Sequence, residues 1–113
     1  MWYDVSKLEM KFLPEKQVRE ILLENNYQNY FIGVGVDSKE KVVVLYRANM
    51  ELIVVPFSWF TSSRSKVKAD FENVRITDYG NTVALGEFEA ATDAILFDFD
   101  PVYRCLMGIR SAG

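Results

Sequence analysis

Histidine is absent from the 113-residue chain, and cysteine occurs once, as Cys105. The first absence excludes Ser-His-Asp and Cys-His catalysis, imidazole metal sites and histidine acid–base chemistry. The second excludes internal disulfides and thiolate zinc sites within one chain, and nothing points to an oxidising compartment. No apolar run reaches the ~18 residues that suggest a membrane-spanning helix. No basic, apolar, small-residue signal segment opens the sequence. Positive charge is in deficit: 13 Lys and Arg against 16 Asp and Glu leave −3, with a sequence pI near 4.9. That balance argues against non-specific attraction to nucleic acid or an anionic membrane. The expectation is a cytoplasmic protein with no cofactor, metal site or catalytic residue.

What is present suits a single domain over residues 1–113. Half of the residues are apolar, including eight Phe, six Tyr and two Trp. A chain of this size buries roughly 65% of its unfolded surface, enough for a core without staples. Charged residues make up 26%, near the globular average, so disorder is not expected.

Residues 1–10 hold Trp2, Tyr3, Val5 and Leu8 and are apolar enough to dock. Pro14 suits the first turn of a helix, followed by Val18, Ile21 and Leu22 on one face, and Asn25-Asn26 as the stop. This predicts a helix over 14–25. Phe31-Ile-Gly-Val-Gly-Val36 reads as a strand whose Gly33 and Gly35 leave one face bare for a close neighbour or a bulge. Lys41-Val-Val-Val-Leu-Tyr46 is continuously apolar, as in a strand buried on both faces. Glu51-Leu-Ile-Val-Val55 returns after a tight turn and ends at Pro56. The three form an antiparallel meander. Val74–Thr77 and Thr82–Leu85 flank Asp78-Tyr-Gly-Asn81 and predict a further hairpin or a strand with a turn. Asp100-Pro101 is a helix start signal, and Val102, Leu106 and Ile109 would line one face of the terminal helix.

Between these, Phe88, Ala91, Ile95, Leu96 and Phe99 fall at steps of three and four, predicting one amphipathic helix over 88–99. Residues 87–100 carry five acids (Glu87, Glu89, Asp93, Asp98 and Asp100) and no Lys or Arg, a formal charge of −5. Carboxylates late in such a helix oppose its dipole. Asp100 escapes by capping the next helix; Asp93 and Asp98 do not, unless Arg104 or Arg75 folds back on them. An acid pair or magnesium site is conceivable from composition, but these residues do not share one stripe. The better reading is a negative face that binds a basic surface on a protein partner. Trp59 and Phe60, in Phe57-Ser-Trp-Phe60, are either core or an aromatic part of that partner-binding patch. Arg64, Lys66 and Lys68 lie in the one polar stretch and form the alternative, nucleic-acid-associated site. Cys105 is expected inward-facing or half-buried, a small hydrophobe rather than a nucleophile. Gly33-x-Gly35 lacks the third glycine of a dinucleotide loop.

The stretch Leu52-Ile-Val-Val-Pro-Phe-Ser-Trp-Phe60, then Ile76-Thr-Asp-Tyr-Gly80 with Thr82-Val-Ala-Leu-Gly86, resembles the bacterial domain-of-unknown-function family 2442, related to the N-terminal domain of a Nitrosomonas protein. The likeness runs from about residue 41 to 104, with Phe88-Glu-Ala-Ala-Thr-Asp-Ala-Ile-Leu96 and Asp100-Pro-Val-Tyr-Arg104 similar to one variant of its C-terminal part. The usual Trp-Pro or Trp-Asn pair is missing where Val83-Ala-Leu85 stands. The resemblance implies a small α+β domain with an antiparallel sheet, sometimes encoded beside suspected toxins, and transfers no catalytic residues.

Together these readings predict an α+β fold: an N-terminal helix, a three-stranded meander extended by one or two later strands, and a C-terminal helical pair. The expected function is non-enzymatic, an antitoxin-like interaction domain for a basic protein. A regulatory nucleic-acid module is the first alternative and a small-ligand or metal-dependent enzyme the second. The apolar strands would alternatively serve a homodimer.

Overall fold

A computed structural model describes residues 8–61 and 66–112. The fold is α+β, and the described residues form seven strands and four helices. Strand β1 (Lys11–Phe12) and helix α1 (Glu15–Leu22) precede a meander of β2 (Phe31–Asp37), β3 (Val42–Arg47) and β4 (Leu52–Pro56). A short helix α2 (Phe57–Thr61) follows, then β5 (Val74–Thr77), β6 (Thr82–Leu85) and β7 (Phe88–Ala91). Helices α3 (Thr92–Phe99) and α4 (Pro101–Ala112) close the chain.

The first sheet has the order β1-β2-β3-β4, all antiparallel. Strand β3 lies inside it, and Val43, Val44 and Leu45 are fully buried, as its unbroken apolar run predicts. A bulge at the start of β2 shifts the register between Phe31 and Gly33. Phe31 and Val34 consequently both enter the main core, while Ile32 turns to the opposite face. That face carries the bare glycines. A β-carbon on Gly33 would lie 2.6 Å from the Phe12 ring, and one on Gly35 would strike the Met10 sulfur. The side chains of the β1 segment therefore occupy the space that Gly33 and Gly35 leave. Phe12 also tilts against Tyr46 at 5.7 Å.

Helix α1 lies on this same face, burying Ile21 beside Ile32 and Ala48. It ends three residues earlier than predicted, because the N–H groups of Leu23 and Glu24 donate to the carbonyls of Glu20 and Ile21 in a tightened last turn. Its Pro14 stands just before the first helical residue.

The later strands do not extend the meander. Pro56 and α2 turn the chain away from β4, and β5-β6-β7 form a second antiparallel sheet with its own ladder. One core joins the two sheets: Phe31, Leu45 and Val55 from the first meet Val74, Val83, Leu85 and Phe88 from the second. Phe60 plugs this core from α2, packing edge-on against Phe71 and Phe88. Full burial of one such side chain is worth about 1.5–3 kcal/mol.

A larger correction concerns the acidic segment. Residues 88–91 are strand, not helix: Phe88 and Ala90 face the core and Glu89 and Ala91 face out, the period-two pattern of a half-buried strand. Pairing with β6 overrides the helical preference of Glu-Ala-Ala, so the helix starts only at Thr92. The β5–β6 turn is also distinctive. Asp78, Tyr79 and Gly80 all have positive φ (53°, 51° and 87°). A β-carbon on Gly80 would lie 2.8 Å from the Phe31 carbonyl oxygen and 3.1 Å from Ile21, so glycine lets the turn seat against β2 and α1.

Candidate functional site

The C-terminal helices are set by one residue, Asp100. Its Oδ1 accepts hydrogen bonds from the backbone N–H groups of Val102 and Tyr103 at 3.0 and 3.2 Å, capping α4 as its place before Pro101 predicts. Its Oδ2 accepts a 2.9 Å bond from Arg47 Nη1. Arg47 is 6% exposed and donates from Nε to the Gln28 carbonyl at 2.6 Å. This partly buried ion pair ties α4 to the last residue of β3. Sequence reasoning missed Arg47. Its signal was a charged residue closing an otherwise apolar central strand, which requires a partner wherever it is buried.

Arg104 joins α4 to α3. Its Nε and Nη2 donate to the carbonyls of Phe97 and Asp98 at 2.6 and 2.8 Å, supplying positive charge to the negative end of α3. Its guanidinium also sits 5.5 Å from the Phe97 ring centroid. The expected fold-back thus occurs, but onto backbone carbonyls instead of carboxylates. Arg75 reaches the Gly86 carbonyl at 3.4 Å.

With α3 starting at Thr92, Asp93 lies in the first turn, where a carboxylate favours the helix dipole instead of opposing it. Asp98, in the last turn, accepts a 2.6 Å hydrogen bond from the Trp59 indole Nε1. Trp59 is half-buried and packs edge-on against Phe60 and Phe99. Phe60 itself is 1% exposed, so it is core and cannot contribute to a partner-binding patch. Glu89 is exposed on the outer face of β7, two residues before Ala91 on that face, and Glu87 stands in the β6–β7 turn. The four acids therefore come from a turn, a strand and a helix, not from one helical face.

Two of them meet an apolar surface. Trp59, Ala91, Ala94, Phe97, Tyr103 and Met107 line an open groove between α2, α3 and α4, and Asp93 and Asp98 complete its lining. A second groove, of about 350 Å³, lies between α4 and the segment around Gln28, and shares Tyr103 and Met107 with the first. Helix α4 thus runs between two depressions. Its expected buried face is largely open: Val102 is 67% and Leu106 54% exposed, while Ile109's side chain lies outside the described set. Cys105 is exposed as well, contrary to the inward position expected of it.

Of the alternative basic site, Lys66 and Lys68 are exposed, and Arg64 lies outside the described residues. Among the described residues no three His, Cys, Asp or Glu side chains gather closely enough to hold a metal ion. No described helix is long and apolar enough to cross a membrane. The Asp70 carboxyl, which lines neither groove, has a displaced pKa. Asp70 is held below the usual carboxylate value by hydrogen bonds from the Asn73 side-chain amide and the Glu72 backbone N–H. Comparison with known proteins finds no matching family model, no matching curated protein and no matching solved structure.

Proposed function

We propose that the protein is a non-enzymatic interaction domain whose α3 groove receives a basic segment of a protein partner. The observation that carries this reading is an aromatic and aliphatic floor meeting two carboxylates. Trp59, Phe97 and Met107 offer apolar contact to the stems of Lys or Arg, and Asp93 and Asp98 offer charge to their heads. Glu89 adds negative charge on the neighbouring outer face of β7. Asp98 has a second duty, since its bond to Trp59 holds the indole at the groove. An antitoxin-like role, in which a small acidic domain covers a basic protein, is one form of this function.

An amphipathic lysine-rich peptide serves as the first probe, followed through the Trp59 indole N–H signal in ¹H–¹⁵N spectra. The expected result is a saturable shift that weakens with salt. Reversing one rim charge with Asp93→Lys removes an attraction and adds a repulsion, together about 1–2 kcal/mol or roughly tenfold in affinity. An indole signal that does not move, or moves equally in Asp93→Lys, overturns the proposal.

A further inference from the structure

The groove on the other side of α4 has a different chemistry. Its one ion pair, Arg47 with Asp100, neutralises itself, and every other residue lining it is uncharged. Electrostatic complementarity therefore calls for an uncharged ligand. Asn26, Gln28 and Asn29 bring amide side chains to one wall, each able to present donors beside an acceptor. Val102 and Leu106, one helical turn apart, form an exposed aliphatic wall opposite.

Arg47 supplies a third element. Its two hydrogen bonds, from Nε to the Gln28 carbonyl and from Nη1 to Asp100, use two of five guanidinium N–H donors. Nη2 makes no hydrogen bond to any described residue. No side-chain nitrogen or oxygen among the described residues is both sealed from solvent and unbonded, so Nη2 is not completely sealed. Arg47 is more than nine-tenths buried and is one of the residues lining this groove. A donor fixed at the floor of a groove, between amides and an aliphatic wall, matches a carbonyl that carries a branched apolar group beside it.

We infer that this groove binds an uncharged peptide segment by one leucine-like residue, its carbonyl on Arg47 Nη2 and its side chain against Val102 and Leu106. The site lies on the other side of α4 from the acidic groove of the proposed function, shares only Tyr103 and Met107 with it, and uses no carboxylate as a ligand for the incoming group. The cavity volume accommodates one such residue, and a probe of that size binds in the millimolar range.

The test is a titration of the full chain with N-acetyl-leucine amide, read from ¹H–¹⁵N spectra. Saturable shifts at the side-chain amides of Asn26, Gln28 and Asn29 and at the backbone of Val102 and Leu106 are expected, with the Trp59 indole unmoved. Leu106→Lys, at an exposed position, should keep the fold and lose roughly tenfold in affinity. Arg47→Lys, which keeps the charge facing Asp100 but removes the planar donor edge, should lose a similar factor. Absence of saturable shifts, shifts confined to the acidic groove, or full affinity in Leu106→Lys overturns the inference. N-acetylleucine, the anionic counterpart, should bind more weakly; equal or tighter binding overturns the uncharged assignment.

Discussion

Replacing Asp100 with Ala removes two functions at once, and their costs can be separated. The carboxylate is the counter-charge of Arg47, whose side chain is 7% exposed, and it also caps α4. Stranding a buried charge costs about 3–5 kcal/mol, and the groove beside Arg47 admits water, which places this case near 3 kcal/mol. Losing the cap adds about 1 kcal/mol. Asp100→Ala should therefore destabilise the protein by about 4 kcal/mol, a large part of the roughly 5–15 kcal/mol holding a domain together. At roughly 4 °C per kcal/mol, its melting point should fall by about 15 °C. Asp100→Asn keeps a good capping side chain and should recover about 1 kcal/mol of that loss. Urea denaturation followed by far-UV circular dichroism gives both values. Arg47→Met combined with Asp100→Asn should cost less than the two single changes summed, by about 2 kcal/mol, because the stranded charge is gone. A loss below about 0.5 kcal/mol for Asp100→Ala, or strict additivity in the cycle, would refute the claim that this pair fastens α4 to the sheet.

Further outcomes follow from single contacts. Gly80→Ala forces a positive φ and a 2.8 Å approach to the Phe31 carbonyl, and should cost about 2–3 kcal/mol by urea denaturation; an unchanged midpoint contradicts the seating of the β5–β6 turn. Phe60→Ala should cost about 3–5 kcal/mol while Leu106→Ala costs under about 0.5 kcal/mol, and equal losses would show that α4 is buried more deeply than described. The Asp70 carboxyl should titrate below its ordinary value by NMR, and Asn73→Ala should raise it. Because its folded pKa is depressed, its contribution to stability is present above the unfolded value of ~3.9 and is lost as pH falls through the folded value, so Asp70→Asn should flatten the acid limb of the stability curve. Asp98→Ala should cost about 0.5–1.5 kcal/mol and shift the Trp59 indole signal; an unmoved signal would contradict the 2.6 Å bond.

The sequence made the meander legible because its cues are local and agree: a bare-faced glycine pair, an unbroken apolar run and a terminating proline. Asp100-Pro101 was equally plain, since a cap and a fixed φ act within one turn. The segment 88–91 was not legible. Phe88, Glu89, Ala90 and Ala91 fit either a helical stripe or a two-residue alternation, and Ala favours the helix when nothing else decides. Strand β6 decides it, through a pairing no local window contains. That change moved Asp93 from an unfavourable helix end to a favourable helix start. Val102, Leu106 and Cys105 were placed inward because a helical stripe marks apolar positions without saying that anything covers them. Arg47 needed Asp100, 53 residues away, and such a pair leaves no trace in spacing.

The most direct test of the account is quantitative capture from the native host, with the wild-type chain and Asp93→Lys as parallel baits and mass spectrometry as the readout. The account predicts a basic protein retained by the wild type and depleted several-fold by the charge reversal, which costs the fold only about 1 kcal/mol at the start of α3 and so leaves both baits folded at the capture temperature. Identical captured proteins on the two baits would contradict it.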